Sequence, residues 1–225
     1  MISTGTEQAQ TRSSGTIAYN LAAIAVMISL IAVGGAYLID RAVRADGIVG
    51  PELSDVDPIS QTIGGRELSI PANWYRHGEQ LKPGFAAQAD IIVRLGLSEG
   101  AAPVPVEVTL LPRTRARASS GLLDAVYLHQ FEDGTIGGVP GLVGKRLISR
   151  DGYAGESVWY DALSPDPFVA KCLDPISDTT VARCVRTVQL PSGLAAIYTF
   201  DATALPFWRQ FDTAMANWLE RAGAL

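Results

Sequence analysis

The stretch Ile17–Ile39, IAYNLAAIAVMISLIAVGGAYLI, constrains everything around it. It holds no charge, and its polar side chains are Asn20, Ser29 and two tyrosines. As a helix rising about 1.5 Å per residue it would be roughly 34 Å long, enough for a hydrocarbon core of about 30 Å. Tyr19 and Tyr37 stand near its ends, where amphipathic rings favour the membrane interface. The expectation is one transmembrane helix over 17–39, with the lipid bilayer as its partner. A cleaved signal peptide is the alternative, since Gly34-Gly35-Ala36 supplies small residues of the kind found at cleavage sites. Such a peptide has an apolar region of about 7–15 residues behind a basic start. This stretch is longer and is preceded only by Arg12, which favours an uncleaved signal anchor.

The flanking charges do not orient the helix. Arg12 precedes it and Arg41 and Arg44 follow it, close to a tie under the positive-inside rule. A short leading tail and a long following domain suit an anchor with its N-terminus inside. Ala25/Ser29 and Ala32/Ala36 recur at four-residue spacing, which either lets two helices approach closely or simply reflects an Ala-rich membrane helix.

Four segments follow. Residues 1–16 are small and polar and read as a disordered tail. Residues 17–39 are the transmembrane helix. Residues 40–65, rich in Asp, Gly, Pro and Ser, read as a linker. Residues 66–225 are long enough for one domain with a sizeable core. The whole chain carries a net charge of −5, which argues against a nucleic-acid partner. It has two cysteines and two histidines, too few for a Cys/His metal cluster, so neither a metal nor a cofactor is expected.

Within the domain, period-two alternation and turn residues predict an antiparallel sheet of about six to eight strands. Arg66–Ile70 (RELSI) alternates, and the Trp74 that follows Pro71 is placed over a core edge. Gln88–Leu97 and Pro105–Leu111 are the next strands, the latter with Val106, Val108 and Leu110 on one face. Leu122–Phe131 fits a short helix with an apolar stripe of Leu122, Leu123, Val126 and Tyr127. Leu142–Ser149 and Tyr153–Leu163 read as a hairpin turning at Asp151-Gly152. Phe168–Leu173 and Val181–Leu190 are another pair, and Leu194–Phe200 is the last strand. From Pro206, the residues Phe207, Phe211, Ala214, Met215, Trp218 and Leu219 recur at helical spacing, leaving Arg209, Asp212 and Glu220 outside. The fold class is α+β, with a short helix and a C-terminal amphipathic helix packed on the sheet.

Folding back at Asp174–Asp178 can set Cys172 opposite Cys184. The pair is either a disulfide or two buried thiols. A disulfide would close a short loop, contribute about 2–3 kcal/mol and place the domain outside the cytosol.

Few residues offer chemistry. Arg113, Arg115 and Arg117 alternate along a loop, either as an anion or headgroup contact or as a solvated surface. The Gly-rich passage 132–141 leads into a strand, so it lacks the strand-to-helix setting of a phosphate loop. Ser157, Asp161, Glu156, His77 and His129 supply residue types of a hydrolase, but no spacing joins nucleophile, base and orienter. No catalytic residue is assigned, and the chain is not expected to be an enzyme.

The segments Leu68-Ser-Ile-Pro-Ala-Asn-Trp74, Leu122–Phe131 and Ile197-Tyr-Thr-Phe200 running into Phe207–Leu219 resemble the Mog1/PsbP-like superfamily, including bacterial envelope members related to DcrB. The resemblance implies an α/β/α sandwich around an antiparallel sheet and a role as a binding or accessory module. It supplies no catalytic residues. A single-pass helix in place of a lipid anchor departs from many bacterial relatives. The resulting expectation is a module of a bacterial cell envelope, anchored in the inner membrane with its domain in the periplasm, acting through contacts with another membrane or envelope protein. A receptor for a small ligand and, further off, a hydrolase are the alternatives.

Overall fold

The computed structural model describes Tyr19 and residues 23–35, 57–98, 102–149, 155–175, 177 and 180–225. The chain divides into two units, Met1–Pro51 and Glu52–Leu225, and each is described by itself.

In the first unit, residues 23–35 form a helix, α1, whose apolar side chains are exposed, with Ser29 Oγ donating to the Ala25 carbonyl at 2.9 Å. Among the described residues no helix is long and apolar enough to cross a membrane. Tyr19 is helical and exposed. Tyr37, the tail and most of the expected linker lie outside the described residues.

The second unit holds two sheets. The small one has strands β1 (Ile59–Ile63), β2 (Arg66–Ile70) and β3 (Gly84–Phe85), in the order β2-β1-β3. β1 and β2 form a tight hairpin at Gly64-Gly65, both with positive φ, as a two-residue hairpin turn requires. β1 is a correction to the expected linker over 40–65. Its sequence, ISQTI, carries three polar residues, and Gln61 is nonetheless buried. Its amide nitrogen donates to the main-chain oxygens of Gln80 (2.7 Å) and Lys82 (2.9 Å), which offsets part of the cost of burying it, while its Oε1 has no partner among the described residues.

The large sheet has seven strands in the order β4-β5-β10-β9-β8-β7-β6, every pair antiparallel. They are β4 (Ala89–Leu95), β5 (Val104–Pro112), β6 (Val143–Arg146), β7 (Glu156–Tyr160), β8 (Val169–Leu173), β9 (Arg183–Gln189) and β10 (Leu194–Asp201). The strand expectations are met within a few residues, and this sheet lies inside the expected range of strand number. Both edges are blunted. Tyr75 bridges Ile91 outside β4, and residues 131–136 bridge β6 and its extension at Gly144 and Leu147.

Alternation along the strands gives the sheet two faces. The inner face, with Val93, Val108, Leu194, Ala196, Tyr198 and Phe200, belongs to the main core. The C-terminal helix α3 (Trp208–Arg221) covers it, burying Phe211, Met215 and Leu219. Phe211 packs on Phe200, Tyr198 and Phe168 with ring centroids 4.6, 5.8 and 6.4 Å away. Trp74 does cover a core edge, meeting Trp218 edge-on at 4.7 Å, with the Arg221 guanidinium over both rings. Asp212 lies outside the apolar stripe, as expected, its side chain 46% exposed, and from there it pairs with Arg186 of β9 (2.6 Å).

The outer face is covered over β7 and β8. Helix α2 (Ser119–Ala125) starts three residues before the expected position and stops at Val126, where φ is −133°. A 3₁₀ turn, Tyr127–His129, then carries the chain on. Leu123 packs with Leu147, Val158 and Val169, and Phe131 stacks on Tyr160 at 5.8 Å. The fold is α+β, as expected, with a seven-stranded antiparallel sheet and the C-terminal helix packed on it.

Candidate interaction surface

Over β10, β5 and β4 the outer face is partly exposed, while α2 also reaches β9, where Ser119 Oγ accepts the Thr187 N–H at 2.8 Å. Register places Val185 (β9), Thr199 (β10), Glu107 (β5) and Ile92 (β4) in one row across four strands, and all are only partly buried. Beside them runs an alternating ion-pair chain. Arg76 reaches Glu107 (3.0 Å), Arg183 reaches the other oxygen of Glu107 (2.8 Å), and Arg183 also faces Asp201 (3.5 Å). Arg183 and Asp201 are register partners, so the guanidinium spans β10 to touch β5. These side chains are partly exposed, so each pair contributes at most about 1 kcal/mol to stability. They fix a pattern of charge on the partly exposed stretch of that face.

At one end this face opens into a cleft of about 590 Å³, lined by Leu173, Asp174, Pro175, Val181, Arg183 and Asp201. Leu173 and Val181 expose 43% and 50% of their surface. Asp174 is held by Arg146 at 3.0 Å. The rim is stapled: Cys172 and Cys184 are register partners, their Cα atoms 4.0 Å apart, and they form a disulfide. Leu173 and Arg183 are their immediate neighbours and share its constraint. The arrangement can seat an apolar side chain against a charged wall.

The other expected site residues lie elsewhere. Arg113, Arg115 and Arg117 are exposed on or just after a 3₁₀ turn, Arg113–Arg115, at the opposite end of β5. Arg113 donates to Gln189 (3.0 Å) and Arg115 to the Ala87 carbonyl (3.2 Å). His77 and His129 are exposed on separate turns. Ser157 is buried beside Cys172, and Glu156 is buried in an ion pair with Lys171 (2.9 Å), so the hydrolase residue types are not brought together. The Gly-rich passage runs along β6, its Pro140 carbonyl accepting the Trp208 indole N–H at 3.1 Å. Among the described residues no group of three or more His, Cys, Asp or Glu could hold a metal ion.

Asp90 is a tightly held carboxylate. Burial alone would raise its pKa, but bonds from Thr109 (2.5 Å), Gln88 (2.9 Å) and Gln80 (2.7 Å), with His77 nearby, outweigh that and hold it below the usual range. Burial pushes the Tyr75 phenol up to about 12, and its buried hydroxyl has no hydrogen-bond partner among the described residues. Burial raises Tyr198 further, Asp212 adding to the effect and Arg186 opposing it. Neither tyrosine lies on that partly exposed stretch.

Sequence reasoning did not reach Arg183, Asp201, Val181 or Leu173 as surface residues. Leu173, Arg183 and Asp201 sit at strand ends and Val181 just before β9, and only the strand order puts these positions side by side.

No protein-family model matches the chain, and no curated protein matches its sequence significantly. The fold is similar to that of Smlt3025, an immunity protein of the Stenotrophomonas maltophilia type IV secretion system. The match has 13% identity over 74% of this chain and 93% of that one, with a TM-score of 0.50. At that identity the likeness is one of fold. The resemblance to the Mog1/PsbP-like superfamily has no family match beside it.

Proposed function

We propose that this chain is a non-enzymatic accessory module of a bacterial envelope, tethered to the inner membrane by residues 17–39, whose periplasmic domain binds another protein. The observation that carries the reading is the partly exposed, charge-patterned stretch of the outer face around Glu107, Arg183 and Asp201, ending in the stapled cleft. A covered inner face and an outer face covered only in part leave a stretch of one side of the sheet for a partner. The cross-strand disulfide fits an oxidising compartment. The neighbour in fold is named as an immunity protein of a secretion system, and protection of that kind would also need a protein partner. The partner would place an apolar side chain between Leu173 and Val181 and polar groups along Arg183 and Asp201.

Site-specific photocrosslinking from position 181, in cells that express the chain natively, tests this. The expected result is one discrete heterologous adduct that Arg183→Glu abolishes. Absence of any adduct from 181 and from 197 alike overturns the reading. A reporter enzyme active only in the periplasm, fused after Leu225, tests the compartment: an inactive fusion overturns it.

The cleft volume supports a second reading, a receptor for a small ligand, because such sites fall in the range of about 300–1,000 Å³. A ligand that raises the melting temperature of the parent chain but not of Val181→Asp would favour it over protein docking.

A further inference from the structure

The end of the domain opposite the cleft carries a surface of different character. Phe85 is 95% exposed, on a two-residue strand that the fold holds firmly. Its backbone pairs with Thr62, and the Ala86 N–H donates to the Thr62 carbonyl at 3.0 Å. Buried Gln61 grips the preceding segment through the Gln80 and Lys82 oxygens. Leu81, Lys82 and Phe85 are thus presented on a fixed support, all three exposed.

The arginine turn abuts this segment. Arg115 donates to Ala87, two residues past Phe85, and the Arg113 N–H donates to the Gly193 carbonyl at 3.0 Å. Arg113, Arg115, Arg117 and Lys82 are all exposed there, on a chain whose net charge is −5. An exposed aromatic ring among cations matches an anionic headgroup layer, where the ring enters the interface and guanidinium groups meet phosphates.

We infer that this end of the domain, through Phe85, Lys82 and the three arginines, rests on the anionic surface of a bilayer. The inference rests on the reading of residues 17–39 as a membrane tether, which would hold the domain close to that surface. It also orients the domain. β10 runs from Leu194, beside the arginine turn, to Asp201 in the cleft, about 24 Å at the usual strand rise. The cleft then points away from the membrane toward a partner.

The test uses the full chain with Phe85→Cys carrying an environment-sensitive fluorophore, the native cysteines being bridged. It is reconstituted in vesicles with brominated acyl chains, of phosphatidylcholine alone or with phosphatidylglycerol added. Quenching at position 85 is expected to be at least about threefold stronger in the anionic vesicles and to weaken at high salt. A label at Val181→Cys stays unquenched. Replacing Arg113, Arg115 and Arg117 by Gln removes most of the effect, and Lys82→Gln with Arg117→Gln, which leaves the bonded arginines in place, removes part of it. Equal quenching in both vesicle types, or none above the 181 control, overturns the inference. Protection of the label by native membranes but not by protein-free anionic vesicles assigns the patch to a protein and overturns it too. Flotation with neutral vesicles in alkaline carbonate reads the tether separately. A chain that floats with its label unquenched keeps the tether and loses the inference. One that does not float loses the tether, while quenching on anionic vesicles still carries the inference.

Discussion

Arg186 lies beneath α3 with two arms on Asp212: Nε donates to Oδ1 at 3.1 Å and Nη2 to Oδ2 at 2.6 Å. The guanidinium sits over the Phe168 ring at 4.4 Å, and Nη1 reaches the Val169 carbonyl at 3.3 Å. The arginine is 7% exposed, so its charge is compensated almost wholly by this one carboxylate. Asp212→Ala should destabilise the domain by about 2–3 kcal/mol, read by urea unfolding. That is below the loss expected for a fully buried pair, because the aspartate is half in water. Replacing both residues by leucine should recover most of the loss, since no charge is then stranded.

The disulfide predicts a redox-dependent melting temperature. Cys172 and Cys184 are 12 residues apart in sequence, and closing so short a loop stabilises by about 3 kcal/mol. Reductant should lower the melting temperature of the parent chain and leave a Cys172→Ala/Cys184→Ala variant unchanged at an already lowered value. Calorimetry with and without reductant checks it.

Much of this architecture was legible in the sequence, and the misses have physical causes. Val106, Val108 and Leu110 alternate because one face of β5 is core, and Cys172 and Cys184 could be paired because a turn-rich segment joins two apolar runs. β1 was missed because the Gln61 amide N–H groups find main-chain oxygens about twenty residues away, which no local pattern announces. The short helix was misplaced because its stripe continues through Tyr127 while the backbone breaks at Val126. The candidate surface was not legible at all. Glu107, Arg183 and Asp201 are distant in sequence and meet only because β10 lies between β5 and β9.

Gln80 and Asp90 predict the acid behaviour. The Gln80 amide donates to Asp90 Oδ2 while its oxygen accepts the Asp90 N–H at 2.9 Å, locking a 3₁₀ turn onto β4. The folded-state pKa of Asp90 is lowered, so its contribution is fully present above the unfolded carboxylate value of about 3.9 and is lost as pH falls through the folded value. Asp90→Asn should cost about 1–3 kcal/mol at neutral pH, since its amide faces donors rather than acceptors. It should also flatten the fall in stability below about pH 4. Denaturant titrations across that range decide it.

Gly144 predicts a steric limit. A Cβ there would lie 2.8 Å from the Trp159 ring and 2.9 Å from the Ile136 carbonyl, and the second neighbour is backbone. Gly144→Ala should therefore loosen the cover that residues 131–136 give β6, at a cost of about 1–3 kcal/mol. Faster hydrogen exchange at Ile136, whose N–H donates to the Gly144 carbonyl, is the local signature.

Arg183 separates binding from folding. It stands between Glu107 and Asp201 on the partly exposed face, and Arg183→Glu sets three carboxylates together. These groups are partly exposed and screened, so stability should change by no more than about 1 kcal/mol. Partner recognition is a different quantity, because a charge reversed at the cleft mouth meets the partner at short range and in a drier setting. Crosslinking from position 181 should therefore vanish while the melting temperature stays within a few degrees of the parent. A variant that melts far lower would make Arg183 structural instead. A folded variant that still crosslinks would remove the ion-pair chain from the binding surface.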